Sequence, residues 1–286
     1  MENKENSTIK IEIYQVDSFT KEMFKGNPAM VCILDKYIDS STMQNIAFEV
    51  NLSETAFLVP KVNNEYEIRW FTPQNEVNLC GHATLAASKV LFNIKKIPYD
   101  EIVYHSKSGI LKSKIDVKGI TLDFPIDKVI YESKEQYREL LDAMGINEFE
   151  DIFKGESTRK LVIRLKNKEE VMSLKPKFEK MREFIANDIK GVGITAKHDN
   201  DKYDFVTRYF NPWVGVNEDS VTGSVHTLLA KYWGEVLNKR ELKAYQLSKR
   251  GGNMLLRIID EKRLEIIGDA CIVFTGKLNL GHDNSR

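Results

Sequence analysis

The sequence predicts an α+β protein built from two similar halves. Short runs with the period-two alternation of a strand are interspersed with runs that have helical spacing. The pentapeptide RWFTP at Arg69 to Pro73 recurs as RYFNP at Arg208 to Pro212, 139 positions later. Each copy is followed by a glycine, Gly81 or Gly223, that opens a helical run. Repetition at a nearly constant spacing indicates an internal duplication.

Further matches between the halves fall in the same order, at offsets of 140 to 142 positions. Coincidence among short patterns is the alternative, and the shared order and spacing favour duplication. We predict a first half over residues 1–126, which ends after Pro125, and a second half over residues 127–274, with residues 275–286 returning to the first. The further matches are Thr55-Ala56 with Thr195-Ala196, Lys89 with Lys231, and Ser106-Lys107 with Ser248-Lys249.

Composition bounds the kinds of ligand that this protein binds. Hydrophobic residues make up 42% of the chain and charged residues 29%, which is typical of a globular protein. Forty-two basic residues balance forty-two acidic ones, so the chain has no excess of positive charge that would attract nucleic acid or an anionic membrane. A small neutral or anionic ligand fits this balance better. The polar start lacks the apolar core of a signal peptide, and no apolar run could cross a bilayer, so we expect a cytoplasmic protein.

The first half is predicted to begin with two strands and a helix. Isoleucines alternate at positions 9, 11 and 13, and the turn FKGNP leads into the apolar run AMVCIL. Asp39 or Ser40 can cap a helix that runs to Val50. The segment NLSETAFLVP is a turn that leads into a strand, and the strand over 68–72 stops at Pro73. The remaining elements are a helix from Gly81, a hairpin around Ser108-Gly109, and the strand ITLDFP, which ends at Pro125.

The second half is predicted to contain three helices. Ser133 to Met144 has helical spacing and stops at Gly145, and a polar surface loop follows it. Pro176 to Ala186 and Val225 to Leu237 are the other two helices. The predicted strands are RKLVIRL, Tyr203 to Phe210, a hairpin in AYQLSKRGGNMLLRI, and RLEIIGDACIVFTGKL, which Gly268 interrupts.

The starts of the two repeated helices are candidate anion-binding sites. Gly81 opens one helix beside His82, and Thr222, Gly223 and Ser224 open the other. The first backbone N–H groups of a helix lack partners and lie at the positive end of its dipole, so they attract a carboxylate or a phosphate. If the halves pack about a pseudo-twofold axis, both helix starts face one cleft and hold an anionic substrate from two sides. The alternative is a pair of capped helices whose ends face solvent.

Glu54 is the candidate for proton transfer. It lies between Leu52 and the apolar run that starts at Ala56, so we expect its carboxyl to be partly desolvated. Burial raises the pKa of a carboxylic acid toward the range in which it can both take and return a proton. The alternative is a solvated or salt-bridged glutamate in a turn. At an offset of 140 Glu54 aligns with Ile194, which predicts that only one half carries this group.

His82 and Asp219 are candidate supporting groups. The loop Val214 to Ser224 is three residues longer than its counterpart, and we attribute the extra residues to Glu218 and Asp219. His82 is either a structural donor at the helix start or a contact for a ligand carboxylate. Asp219 is either a loop carboxylate or, across a cleft, the group that orients the imidazole of His82 and holds its charge.

Cys80 precedes a helix start, a position that can lower the pKa of a thiol. A racemase that works through thiols needs two of them, and the repeat places Thr222 opposite Cys80, so packing is the simpler role for this cysteine. The other cysteines, Cys32 and Cys271, are widely spaced, and the five histidines are scattered. We therefore predict neither a disulfide framework nor a metal site.

Four motifs in order resemble the phenazine-biosynthesis PhzF-like family, relatives of diaminopimelate epimerase. The resemblance runs from the GNPA-type turn to the final strands and thus covers nearly the whole chain. It implies two pseudo-symmetric domains, each a strongly curved sheet or barrel around a central helix, with the active site between them. The four motifs are NLSETAFL, LCGHAT, EDSVTGSVH and QLSKRGG.

The resemblance also implies an isomerase that needs no cofactor and acts on a small carboxylate as a homodimer. It implies that Glu54 is the acid/base, supported by His82, Asp219 and Ser224, with Gly81 and Gly223 letting the helix starts approach the ligand; Cys80 and Thr222 precede those glycines. Two alternatives stay open. One is an epimerase, racemase or dehydratase of an amino or hydroxy acid that uses Cys80, and the other is a metabolite-binding or interaction protein without turnover.

Overall fold

The computed structural model describes residues 9–184 and 188–281. Eighteen strands in this part of the chain form one continuous hydrogen-bonded network. The strands of the first half are β1 Ile9–Ser18, β2 Asn27–Ile33, β3 Glu54–Pro60, β4 Glu65–Phe71, β5 Glu76–Val77, β6 Glu101–Ser106, β7 Gly109–Asp116 and β8 Gly119–Pro125. The remaining strands are β9 Val129–Tyr131, β10 Asp151–Gly155, β11 Leu161–Arg164, β12 Val192–Lys197, β13 Phe205–Asn211, β14 Val216–Asp219, β15 Glu241–Gln246, β16 Gly252–Ile258, β17 Arg263–Gly268 and β18 Ala270–Leu280.

Six α-helices lie in the described residues, and two of them are central. The helices are α1 Ser40–Val50, α2 Gly81–Asn93, α3 Arg138–Met144, α4 Lys168–Ser173, α5 Phe178–Glu183 and α6 Gly223–Leu237. In α2 and α6 most side chains are buried on every face, which is typical of a helix enclosed by other elements. Helix α2 packs on β1, β2, β3, β7, β8 and β18, and α6 packs on β9, β15, β16 and β17. Each half is therefore a curved sheet around one helix.

The strand pairings of the first half recur in the second, which confirms the predicted duplication. Strands β2 and β3 are parallel, β3 and β4 antiparallel, and β4 and β6 parallel. Strands β11 and β12 are likewise parallel, β12 and β13 antiparallel, and β13 and β15 parallel. An ion pair recurs too, because Arg69 Nε and Arg208 Nε each lie 2.7 Å from an oxygen of Glu76 or Glu218. The predicted fold class, with two pseudo-symmetric domains, is confirmed.

Two strand pairs join the halves. Strand β8 pairs antiparallel with β17, from Arg263 opposite Pro125 to Gly268 opposite Ile120. Strand β18 pairs antiparallel with β1, from Ile9 opposite Leu280 to Ser18 opposite Ala270. The second pairing supports a return of the chain end to the first half. The division at residues 126 and 127 stays a prediction, and residues 282–286 lie outside the described part.

The predicted elements differ from the structure mainly between residues 133 and 184. The helix expected from Ser133 begins as a 3₁₀ turn, and α3 starts only at Arg138. The expected polar loop after Gly145 contains β10, because Ile152 and Phe153 are buried against the sheet. Helix α4 was not predicted, and α5 is shorter than the expected helix from Pro176 to Ala186, whose end lies outside the described residues. Within the described residues, no helix is long and apolar enough to cross a membrane.

His226, in α6, makes the stability of the fold sensitive to acid. Its imidazole is 0% exposed, and Nδ1 lies 2.7 Å from the carbonyl oxygen of Thr222. Burial lowers the pKa of His226 to about 4. Between pH 6.5 and about 4 the unfolded chain therefore binds a proton that the folded chain does not. The free energy of unfolding decreases as the pH falls through this window.

We expect this histidine alone to account for a loss of roughly 3 kcal/mol across that window. The measurement is urea unfolding of the wild type and the His226→Gln variant at pH 7, 5 and 4. The variant should lose less stability than the wild type as the pH falls. Equal losses in the two proteins would show that His226 does not titrate as its burial requires.

Candidate active site

A buried carboxylate and a buried imidazole meet between the two halves. Glu54 is the first residue of β3 and lies opposite Ala29 on β2. Its side chain is 19% exposed, and Oε2 lies 3.0 Å from Nε2 of His82, whose side chain is 8% exposed. The second residue of α2 is His82, so the helix start fixes the position of the imidazole. Glu54 is therefore not a solvated turn residue, although a substrate can still approach it.

Ser53 and Asn27 hold the imidazole of His82. Ser53 Oγ lies 3.2 Å from His82 Nε2 and 2.9 Å from the carbonyl oxygen of Pro28. A hydroxyl has one proton to donate, so Ser53 can donate it to Pro28 while accepting from Nε2–H. On the other side of the ring, Asn27 Nδ2 lies 3.3 Å from His82 Nδ1. An amide nitrogen only donates, so the Asn27 contact is a hydrogen bond only when Nδ1 carries no proton. Ser53 and Glu54 can accept from Nε2–H in the neutral and in the charged form of the ring.

Asp219 reaches His82 through Asn27. Asn27 Nδ2 donates to Asp219 Oδ1 at 2.8 Å and to the carbonyl oxygen of Val221 at 2.9 Å. Thr222 Oγ1 donates to Asp219 Oδ2 at 2.5 Å. In the described residues Asp219 makes no direct hydrogen bond to His82, and the Asn27 amide lies near both groups. That Asp219 orients the imidazole and holds its charge stays a prediction. One side chain from the first half thus joins the two helix starts.

The starts of α2 and α6 leave their first N–H groups without side-chain caps. Cys80 and Thr222 occupy the N-cap positions, and neither makes a capping hydrogen bond. Neither helix has an acidic residue in its first turn. Gly81 packs closely, since a Cβ there would lie 3.2 Å from Cζ of Phe124. Uncapped helix starts of this kind bind anions, and the partly buried Ser224 lies in the first turn of α6.

The charges of the site are coupled. Burial raises the pKa of Glu54, but the charge and hydrogen bonding of His82 outweigh burial and leave that pKa below its ordinary value. Burial lowers the pKa of His82, yet its neighbours Cys80 and Glu54 raise that pKa well above the ordinary value. Burial also raises the pKa of Asp219, although the charge of His82 acts to lower it. The expectation of a raised pKa at Glu54 is therefore wrong, because a cation lies beside the carboxylate.

Cys80 contacts the same imidazole. Its Sγ lies 3.6 Å from His82 Nδ1, and the residue is 6% exposed. Burial and the charge of Glu54 raise the pKa of the Cys80 thiol, so the lowered value that a helix start favours is not found. One donor atom from each of Glu54, Cys80 and His82 lies within 4.8 Å of the others. This donor set suits a metal such as zinc, and histidine spacing along the chain did not reveal it.

Strand registers correct two details of the predicted repeat. Thr55 on β3 faces Phe71, and Val192 on β12 faces Phe210, which is the counterpart of Phe71 in the repeat. The residue before Val192, Gly191, is therefore equivalent to Glu54, and Ile194 is not. Glu218 is opposite Phe210 just as Glu76 is opposite Phe71, so Glu218 is not an inserted residue. The insertion is instead the 3₁₀ turn over 212–214. Short matches fixed the order of the repeat but not its register.

Sequence reasoning missed the residues that connect the candidate groups. Asn27, Ser53 and Gln246 each lie in a motif that carried the family resemblance. Gln246 accepts from the N–H of Thr222 at 2.8 Å and donates to the carbonyl oxygen of Asp219 at 2.8 Å. Their position as polar residues within those motifs is the feature of the sequence that could have identified these three residues.

We call the region around Glu54, His82, Asp219 and the two helix starts the crevice. Two surface depressions lie away from it. One is lined by charged residues that include Asp204 and Lys239, which form an exposed ion pair. The other is lined by residues between Tyr131 and Ile152. Neither contains Glu54 or His82, and neither brings a carboxylate and an imidazole together. The crevice between the halves is the better candidate, because it combines buried titratable groups with two helix starts.

The duplicated fold and the crevice define a protein of the diaminopimelate epimerase-like class. The chain belongs to the PhzC-PhzF family, because the family model described as phenazine biosynthesis-like protein matches residues 16–276. A relative from Halalkalibacterium halodurans, named an uncharacterized isomerase, is 42% identical over 94% of this chain and 98% of its own length. The crystal structure of a PhzF family protein from Enterococcus faecalis is 39% identical, with a TM-score of 0.86 over 95% of this chain and all of that one.

A more distant structure shows the extent of the fold class. The hydroxyproline epimerase of Agrobacterium vitis has a TM-score of 0.60 over 96% of this chain and 94% of its own, at 11% identity. At that identity the likeness concerns the fold alone. The names of the nearer relatives support an isomerase-type enzyme.

Proposed function

We propose that this protein is a cofactor-independent isomerase that moves a proton on a small carboxylate substrate through Glu54. The observation that carries the proposal is the Glu54 carboxylate, 3.0 Å from His82 in a crevice and 19% exposed. A carboxylate in that position is shielded from bulk water yet reachable by a substrate. The lowered pKa of Glu54 keeps it ionised at neutral pH, which is the form that a base requires.

The reaction needs no oxidant and no co-reactant. The ionised Glu54 removes a proton from a carbon atom next to a π system, and the electron pair of that C–H bond moves into the π system. The negative charge spreads toward the substrate carboxylate. The carboxylic acid of Glu54 then returns the proton to another carbon on the same face, and a double bond has moved. One carboxyl group is enough, because the proton leaves and arrives on one side.

The surrounding groups hold the reactant and its developing charge. The first N–H groups of α2 and α6, at Gly81 and Gly223, bind the substrate carboxylate together with the hydroxyl of Ser224. His82 donates to the charge that develops as the proton leaves, and Asp219 keeps that side of the site in place through Asn27. Cys80 and Thr222 line the two helix starts. The homodimer that the resemblance implies stays a prediction.

The alternative with a reactive Cys80 has one contact in its favour, the 3.6 Å between its sulfur and His82 Nδ1. Two features count against it. The pKa of the Cys80 thiol is raised by burial, and a two-thiol mechanism would need a second cysteine where this chain has Thr222. Glu54 meets the requirements of a single proton-transfer group, and Cys80 does not.

Proton NMR tests the proposal on the whole protein. Small carboxylates with an acidic C–H bond next to a double bond are incubated with the protein in H₂O and in D₂O. We expect at least one of them to isomerise or to gain deuterium faster than without protein. A Cys80→Ala variant should still react at a measurable rate, because Glu54 and not the thiol moves the proton. A ligand that binds but neither rearranges nor exchanges would indicate a binding protein, and loss of the reaction in Cys80→Ala would favour the thiol.

A further inference from the structure

Lys160 is a partly buried cation of the second half that the proposed mechanism does not use. It lies immediately before β11, and its Nζ donates to Tyr209 Oη at 2.6 Å. The ammonium group also lies 4.2 Å from the centroid of the Tyr209 ring. Tyr209 Oη in turn donates to the carbonyl oxygen of Lys190. Tyr209 therefore contacts the ammonium group through its hydroxyl oxygen and through its ring, and it is itself held by the carbonyl oxygen of Lys190.

The register of the sheet places this pair on the same face as the site. Tyr209 on β13 lies directly opposite Asp219 on β14. Residues directly opposite each other in an antiparallel pair project their side chains to the same face. Asp219 is bonded through Asn27 to the start of α2 and to the backbone before α6. Asp219 shifts the pKa of both Lys160 and Tyr209 through its charge, which agrees with this register and places Lys160 near the crevice.

The pseudo-symmetry explains why there is room for this pair. Gly191 takes the place of Glu54 in the second half, and a Cβ at Gly191 would lie 2.1 Å from Tyr209 Oη. Its φ of +101° also favours glycine. Where the first half places a carboxylate beside an imidazole, the second half places a phenol beside an ammonium group. The two halves therefore contribute groups of different charge to one crevice.

We propose that Lys160, held by Tyr209, is a specificity-determining residue that makes the crevice select anionic over neutral ligands. Without it, a bound carboxylate would share the crevice with Glu54 and Asp219 and only His82 would oppose their charge. The ammonium group of Lys160 balances that charge at short range in a site from which water is largely excluded. The inference rests on the proposed function, in that the substrate is a small carboxylate.

The ionisation of Lys160 is sensitive to its surroundings. Burial lowers the pKa of Lys160 to about 8, with the charge of Asp219 acting against burial and that of Lys190 acting with it. Burial and the charge of Asp219 also raise the pKa of Tyr209, so the phenol stays neutral. The ammonium form therefore predominates at pH 7 and is lost as the pH rises through about 8.

Binding of benzoate and benzamide tests the inference, since the two probes have similar shapes and differ in charge. Calorimetric titrations are made at pH 7 with the wild type, Lys160→Met and Lys160→Arg, and with Lys190→Met as the control for loss of a nearby lysine. We expect the wild type to prefer benzoate, and Lys160→Met to bind benzoate about tenfold more weakly with benzamide binding unchanged. Lys160→Arg should keep part of the preference, and Lys190→Met should keep nearly all of it.

A pH series distinguishes an effect of the Lys160 charge from a merely structural effect of the side chain, because only the former changes benzoate affinity with pH. The wild type should lose benzoate affinity as the pH rises from 7 to 9 and Lys160 loses its proton, and the loss should be smaller in Lys160→Met, which lacks this ammonium group. Equal weakening of both probes in Lys160→Met, or no preference for benzoate in the wild type, would overturn the proposal. Because only binding is measured, the result does not depend on whether Glu54 transfers a proton.

Discussion

The Glu54→Gln variant is expected to isomerise its carboxylate substrate about 10²–10⁴ times more slowly than the wild type. Glutamine keeps the size of the side chain and one oxygen beside His82, but it cannot take a proton from carbon. The substrate is the carboxylate that reacts in the NMR experiment, and the measurement is the initial rate of its rearrangement at pH 7. Binding should change much less than the rate, because the helix starts that hold the carboxylate are intact.

A second Glu–His pair outside the crevice provides the control. Glu65 Oε2 and His105 Nε2 lie 2.6 Å apart, with 43% of the glutamate side chain exposed. A Glu65→Gln variant should isomerise at the wild-type rate. If Glu54→Gln folds with an unchanged melting temperature and reacts as fast as Glu65→Gln, Glu54 is not the group that moves the proton.

The Arg250→Met variant is expected to lower the free energy of unfolding by about 3–5 kcal/mol. Asp17 on β1 is 1% exposed, and its Oδ1 lies 2.7 Å from Nη2 of Arg250, which belongs to the loop between β15 and β16. The same guanidinium donates to the carbonyl oxygens of Gly26 and Lys25, each at 2.8 Å. Removal of the guanidinium leaves a buried carboxylate without its countercharge and breaks contacts between the halves.

The pH dependence of this loss identifies its cause. Burial raises the pKa of Asp17, while the N–H of Phe24 and the charge of Arg250 lower it. Without Arg250 that pKa rises further, so the variant should lose more stability at pH 7 than at pH 4, where the carboxyl can be protonated. Urea unfolding measures both values.

The control is Lys61→Met, which removes an exposed ion pair with Glu67 and should cost no more than about 1 kcal/mol. Equal losses in the two variants would contradict the assignment.

Much of the fold could be predicted because it depends on local patterns. Asp39 caps α1 as expected, with its carboxylate accepting from the N–H of Thr42 at 2.8 Å. Gly145 ends α3 with a φ of +72°. The glycines at the starts of α2 and α6 lie where the repeat placed them. Caps, periodicity and turn residues act over a few positions, so a single sequence reveals them.

The groups that define the crevice were harder to predict, because long-range pairing decides their surroundings. Burial alone suggested a raised pKa at Glu54, but His82 lies within 3.0 Å and reverses the shift. Asn27 was assigned only to a turn before β2, yet its amide contacts groups 55 and 192 positions away in the chain. Lys160 has no sequence motif, and only the register of β13 and β14 connects it to Asp219.

The sequence by itself determined the α+β duplication, the two glycine-led helix starts and the motifs that carry the family resemblance, since each depends on residues close together in the chain. Only the tertiary structure decided which charges face one another: the ion pair of Glu54 with His82, the amide bridge from Asn27 to Asp219, and the position of Lys160 beside Tyr209. The physical reason is that a pKa and a ligand preference depend on distances of a few ångströms between groups far apart in the chain, and packing of the two halves sets those distances.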